Sequence, residues 1–327
     1  MSSRKIDRKK ILLVLLSTIL VVALLFIVLR TMENKNSESG EIAYTKSFDY
    51  NGRHYERNKW VDTLLIVGLD KFEEDVDTSG YYNDQQADFI LLLAIDHQNK
   101  QIKGIQINRD TMADVNVLGV AGNKISETVC QIAISHCYGN GELVSLRNTA
   151  DSVSKLLYNL GIDYYVSVTM DTVSKLNDMV GGVPVLIEDD FSSVDARLVQ
   201  GETVTLDGEM ALEFVRARSS MSEPTNMARM GRQKTYMYAL ADRLREAVKA
   251  DEDFYVNAFL EMGDSVTYNT TETRIKQGLE KISDYEFAEN GIISFDGVLS
   301  QGEKFMEFYP ETDQIAQTVA ELFYIEK

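Results

Sequence analysis

Hydrophobic and polar positions along the 327-residue chain fall into blocks of different period. Ile11–Leu29 is a run of 19 residues without a charge, in which Ser17 and Thr18 are the only weakly polar members. As a helix it spans about 29 Å, enough to cross a hydrocarbon core of about 30 Å. Residues 30–57 are polar without helical periodicity and read as a stalk. Asp62–Asp70 and Asp88–Asp96 are short apolar runs closed by carboxylates. Runs without alternation suit strands covered on both faces, as at the centre of a sandwich. Gln101–Asn108 alternates and forms a third strand.

Beyond these strands the pattern predicts helices over Ile125–Cys137 and Ser145–Leu160, then strand Tyr164–Val168, helix Asp171–Val180 and strand Val183–Ile187. Gly181-Gly182 marks the turn between the last two. Helical spacing returns at Gly208–Arg218 and Asn226–Val248. The last third adds helices near Asp253–Met262 and Glu272–Ser283, a strand at Gly291–Phe295 and a helix from Glu311. The expected fold class is α/β, a three-layer α/β/α sandwich with a mixed central sheet. The domain is expected over residues 58–250. Residues 251–327 either close the sandwich or form a small appended module.

Charge then sets the topology. Arg4, Lys5, Arg8, Lys9, Lys10 and Arg30, with Asp7, flank the apolar run with a net +5. The N-terminus is therefore expected on the cytoplasmic side, with the rest of a single-pass membrane protein outside the cell. Arg30-Thr31-Met32-Glu33 offers no small-residue cleavage site, so the run reads as an anchor rather than a removed signal peptide. The whole chain carries −18 and hence the remainder about −23, which makes nucleic acid a poor partner. An anionic ligand would need a local arginine cluster to override that field.

Such a cluster exists. Arg216 and Arg218 lie two positions apart, and Arg229, Arg232 and Gln233 share one helical face at i, i+3, i+4. The planar guanidinium suits phosphate oxygens. Asp70 and Asp88 sit at strand ends that meet if the strands are antiparallel neighbours, where a hard divalent cation would relieve their repulsion. On spacing alone they read more readily as solubilising charges at strand ends. Arg109-Asp110 follows a strand directly and reads as a crevice arginine or a surface ion pair. His136 has no zinc-ligand spacing and reads as a packed or capping side chain. Cys130 and Cys137, the only cysteines, read as buried thiols rather than a bridge. No serine nucleophile elbow, GxxxxGK[ST] loop or HExxH is present.

These residues, in this order, resemble the LytR-CpsA-Psr family. The landmarks are Val67-Gly-Leu-Asp70, Ala87-Asp88-Phe-Ile-Leu, Ile107-Asn-Arg109-Asp110-Thr and His136-Cys-Tyr-Gly-Asn-Gly. Gly161-Ile-Asp-Tyr-Tyr-Val, Val180-Gly-Gly-Val-Pro-Val, Leu206–Arg218 and Arg229-Met-Gly-Arg232-Gln233 follow. The resemblance implies a Mg²⁺-dependent transferase moving teichoic acid, capsule or another wall polymer from polyprenyl pyrophosphate to peptidoglycan. It implies that Asp70 and Asp88 hold the metal, and that Arg109, with Asp110, stands at the reacting phosphate. Arg216, Arg218, Arg229, Arg232 and Gln233 would hold the pyrophosphate, and the polyprenyl tail would fill an apolar tunnel in the fold. A tethered, non-catalytic binder of the same lipid-linked polymer is the rival reading. Two departures remove a positive charge near the implied phosphate site: Gln86 stands where many relatives have arginine, and Gln131 where many have lysine.

Overall fold

The computed structural model describes residues 44–71, 83–217, 225–251, 254–282 and 285–327. The apolar run at 11–29 lies outside them, as does Arg218. Among the described residues no helix is long and apolar enough to cross a membrane.

The centre is a six-stranded mixed sheet of β3 (Val61–Lys71), β4 (Gln85–Asp96), β5 (Gln101–Ile107), β8 (Tyr164–Thr169), β11 (Val266–Tyr268) and β12 (Glu286–Ser294), in the order β11-β8-β3-β4-β5-β12. The β3–β4 and β4–β5 pairs are antiparallel, while β3–β8 and β5–β12 are parallel. The unbroken apolar runs of β3 and β4 are buried on both faces. Leu64, Ile66, Leu91 and Leu93 enter one core, and Leu65, Val67, Ile90 and Leu92 enter a second on the opposite face. The first core is covered by α2 (Met170–Met179), α3 (Gly208–Arg216), α4 (Asn226–Ala250), α5 (Phe254–Met262) and α6 (Glu272–Ile282). The second is covered by α1 (Leu143–Leu156) and α7 (Thr312–Phe323). A core on each side of one sheet is the three-layer arrangement expected from the runs.

Residues 251–327 are woven into this sandwich. They supply both edge strands, β11 and β12, and α7 on the second core. The end of the expected stalk differs from its expected form. Ser47–Tyr50 (β1) and Arg53–Arg57 (β2) form a hairpin that pairs with β15 (Tyr324–Glu326), packing Phe48 against Tyr55 and Tyr324. Its alternation is short and half-exposed, and so it resembles a polar linker in sequence.

The helix expected over Ile125–Cys137 is also corrected. Lys124–Gln131 is β7, antiparallel to β6 (Met112–Leu118), and only Ile132–Cys137 turns, as a 3₁₀ helix. Lys124, Ser126 and Thr128 pair across the hairpin, so polar residues sit where a helix pattern left them unassigned. The strand expected at Val183–Ile187 is β9 (Val183–Leu186), but its partner β10 (Thr203–Leu206) escaped the periodicity, as did the hairpin of β13 (Gly297–Gln301) with β14 (Met306–Pro310). Both cysteines are free, and burial pushes the Cys130 thiol up to about 11.

His136 lies fully buried in the 3₁₀ turn, where desolvation lowers its pKa to about 4. The folded pKa is below the unfolded value of 6.5, so the unfolded chain binds the proton first. Stability from the neutral ring is complete above pH 6.5 and is lost as pH falls towards 4, by about 3 kcal/mol in full. Burial raises Asp151 to about 6, which acts in the opposite direction over much of that window. The wild-type curve therefore mixes the two. Denaturant unfolding of wild type and His136→Leu at pH 7.5 and 4.5 separates them. The wild type is expected to lose more stability than the variant on acidification, and parallel losses would exclude His136 as the acid-sensitive group.

Candidate active site at the strand ends

The carboxyl ends of β3, β5, β8 and β12 and the start of β4 converge on one rim of the sheet. The β3–β4 register places Gly68 opposite Phe89 but Leu69 opposite Ala87, so Asp88 is the extra residue of a β-bulge. A bulge re-aims the side chain it inserts. Here it lifts a carboxylate out of an otherwise apolar strand to the rim that Asp70 ends. The close approach that accompanies it needs Gly68, since a Cβ there would lie 2.8 Å from that of Phe89. Gly68→Ala is expected to cost about 1–3 kcal/mol by overpacking and to displace Asp88. A melt and a substrate-binding titration of the variant check both effects.

Three arginines meet the two carboxylates. Arg109, in the turn after β5, donates through Nη1 to Asp88 Oδ1 and through Nη2 to Gln86 Oε1. Arg229, in the first turn of α4, donates through Nη1 to Asp88 Oδ2 at 3.0 Å. Arg216, in the last turn of α3, bonds Asp70 at 2.9 Å. The Asp88, Arg109 and Arg229 side chains are all largely buried, whereas Arg216 is about half exposed. Local chemistry fixes the helices that carry these groups. Asp207 Oδ1 caps α3 by accepting from Met210 N at 2.8 Å, and Thr225 Oγ1 caps α4 by accepting from Ala228 N at 3.2 Å.

A polar frame holds the Arg109 turn. Asn108 Oδ1 accepts from the Asp110 amide at 2.9 Å and from Asn226 Nδ2 at 2.6 Å, joining the turn to α4. Asp110 Oδ1 lies 3.5 Å from Arg109 Nε and accepts from Gln131 Nε2 at 2.9 Å. Both glutamines that depart from the family pattern are thus bonded within the site. Asn108 and Asn226 were missed in the sequence, and their only signal was their position beside arginines.

The remaining expected residues lie farther out. Arg232 turns away from Asp88, pairing with Asp189 at 2.9 Å, donating to the Ala217 carbonyl and stacking over Phe191. Gln233 accepts from Gln106 Nε2 at 3.3 Å and lines an apolar slot of about 110 Å³ between β3, β4, β8 and helices α2 and α4. Gly68, Phe89, Val173 and Met237 also line it, so it opens beside the bulge. Among the described residues no three His, Cys, Asp or Glu side chains converge on one point. Of the rim carboxylates Asp70, Asp88 and Asp110, the first two lie near the meeting ends of β3 and β4 and would offer the hard oxygens that a magnesium ion takes beside phosphate and water.

The LytR_cpsA_psr family profile matches residues 25–314. The chain belongs to that family. Among the relatives of this LytR_cpsA_psr protein is the polyisoprenyl-teichoic acid–peptidoglycan teichoic acid transferase TagU of Halalkalibacterium halodurans. It is 25% identical over 80% of the chain and 77% of its own length. TagV of Bacillus subtilis, a transferase of the same description, is 30% identical over 58% of the chain, which spans about half of that relative (47%). A solved structure of TagT bound to LIIa-WTA shares the fold, with a TM-score of 0.59 at 20% identity over 81% of this chain and 90% of that one.

Proposed function

We propose that this LytR_cpsA_psr protein is a Mg²⁺-dependent phosphotransferase that moves a glycopolymer from polyprenyl pyrophosphate to peptidoglycan, anchored by residues 11–29 with the domain outside the cell. The transferase descriptions of TagU and TagV support the reaction class. The observation that carries the site assignment is the convergence of Arg109 and Arg229 on Asp88, whose neighbour Phe89 lines an apolar slot together with Gln233 of the Arg229 helix. A lipid pyrophosphate needs those two environments side by side.

Charge argues for the metal. Arg109, Arg216 and Arg229 are balanced by Asp70, Asp88 and Asp110, so the rim holds no formal positive excess for a pyrophosphate. Asp70 and Asp88 would hold Mg²⁺, which supplies the missing positive charge to the phosphate oxygens. Arg109 and Arg229, at present on Asp88, have the fork geometry to take non-bridging phosphate oxygens instead. Arg216 closes the Asp70 side, and Arg218 follows it two residues on in the same segment. In the transfer, an acceptor hydroxyl oxygen bonds to the phosphorus that carries the sugar. The bridging P–O bond of the pyrophosphate breaks, polyprenyl monophosphate leaves, and the hydroxyl proton passes to a nearby base such as Asp110. The catalytic part of the protein is positioning and charge neutralisation. Arg232 and Gln233 act from behind, fixing the end of α3 through the Ala217 and Val215 carbonyls.

A tethered binder would use the same slot and arginines, and turnover separates the two. Full-length protein in detergent is given a short polyprenyl-pyrophosphoryl saccharide and peptidoglycan fragments, with Mg²⁺ or with EDTA. Release of polyprenyl monophosphate that EDTA stops is expected. Tight binding without release under either condition would establish the binder.

A further inference from the structure

The hairpin β13–β14 stands apart from the central sheet, yet it is tied to the catalytic turn at three points. Phe308 N donates to the Asp110 carbonyl at 2.9 Å, Thr111 and Phe308 form a parallel bridge, and Gln131 Nε2 donates both to Asp110 Oδ1 and to the Met306 carbonyl at 2.8 Å. Phe308 is buried as the anchor, while Phe305 at the hairpin tip is 62% exposed. Between this tip and the start of α4 lies a second cleft of about 310 Å³. Its floor is Arg109 and Asp110, its polar sides are Gln131 and Asn226, and its apolar side is Leu299 and Phe305. Arg109 lines this cleft and bonds Asp88, whose neighbour Phe89 lines the apolar slot; the two spaces share no lining residue.

We propose that this cleft is the acceptor-saccharide subsite, with Phe305 and Leu299 as the platform for a sugar ring of an N-acetylated hexosamine strand. The inference rests on the transferase reading and adds the place and the chemistry of acceptor binding. Phosphoryl transfer brings the attacking and leaving oxygens roughly into line, so the acceptor must reach Arg109 from the side away from the lipid slot. The cleft reaches Arg109 and Asp110 through a lining distinct from that of the slot. An apolar wall with a few convergent polar groups is the usual make-up of a small-molecule site. An aromatic face suits the C–H face of a pyranose, and the Gln131 and Asn226 amides suit hydroxyl and acetamido groups. Asp110, at the floor, stands where the attacking hydroxyl would arrive.

The test measures binding of a synthetic tetrasaccharide of alternating N-acetylglucosamine and N-acetylmuramic acid to the full-length protein by calorimetry. Geranyl pyrophosphate, a donor mimic, is titrated separately. Wild type, Phe305→Ala and Phe305→Trp are compared after their melting curves show that all three fold. Phe305→Ala is expected to weaken the tetrasaccharide tenfold or more, Phe305→Trp to restore it, and geranyl pyrophosphate to bind all three within twofold. Equal tetrasaccharide affinity for wild type and Phe305→Ala, or no binding to wild type, would overturn the proposal. Failure of geranyl pyrophosphate to bind wild type would instead strike at the transferase reading itself.

Discussion

Asp88→Asn is expected to lower the rate of polymer transfer about 1,000-fold or more, roughly 4 kcal/mol of transition-state stabilisation. The amide keeps the size of the side chain and one oxygen for Arg109 or Arg229, so the bulge between β3 and β4 remains filled. What it loses is the negative charge that would hold a divalent ion beside Asp70. Steady-state kinetics over a range of Mg²⁺ concentrations, with a melting curve for each protein, is the check. A variant that folds and turns over normally would remove Asp88 from the metal site. Restoration of the rate by raised Mg²⁺ would show weakened rather than abolished binding.

Arg229→Ala carries the second large effect, on the donor. The Arg229 side chain is largely buried, bonded to Asp88 and to Asn226, one helical turn before Gln233 of the apolar slot. Its removal takes a charge-assisted donor from the place proposed for the pyrophosphate, and losses of about 100- to 1,000-fold accompany loss of such a donor. Asp88 keeps its bond to Arg109, so no carboxylate is stranded. Arg232→Ala should separate cleanly from it. Its partners are Asp189, Phe191 and the Ala217 carbonyl, and so it should lower the melting temperature more than the affinity for geranyl pyrophosphate. If Arg232→Ala weakened that affinity as much as Arg229→Ala, the division of the two arginines between structure and site would be wrong.

The contrast between those arginines marks how far the sequence could be read. Their i, i+3 spacing places both on one side of a helix, and both are buried. Spacing fixes an angle around the helix axis but not what stands opposite it, and Asp189 comes from a loop 43 residues away. Apolar runs bounded by Asp70 and Asp88 were legible because burial on both faces leaves no alternation. The meeting of those two ends followed from antiparallel pairing. The bulge at Asp88 did not, because an extra residue in one strand leaves no mark in that strand's own pattern. Hairpins were the weakest point. In β7 four of the first five side chains, Lys124, Ser126, Glu127 and Thr128, are polar, so backbone pairing with β6 holds a strand that composition does not announce. The same holds for β13, exposed along its whole length, and its partner β14, whose tie to Asp110 through Phe308 is visible only through contacts distant in sequence.

Whether the protein is a transferase is decided by the bond it forms. Full-length protein is incubated with Mg²⁺, a short polyprenyl-pyrophosphoryl saccharide and peptidoglycan fragments. Phosphorus NMR and mass spectrometry then follow the products. Equal amounts of polyprenyl monophosphate and of a new phosphodiester joining the saccharide to a peptidoglycan hydroxyl are expected. Polyprenyl monophosphate together with free saccharide phosphate, and no phosphodiester, would contradict the transferase reading and make water the acceptor.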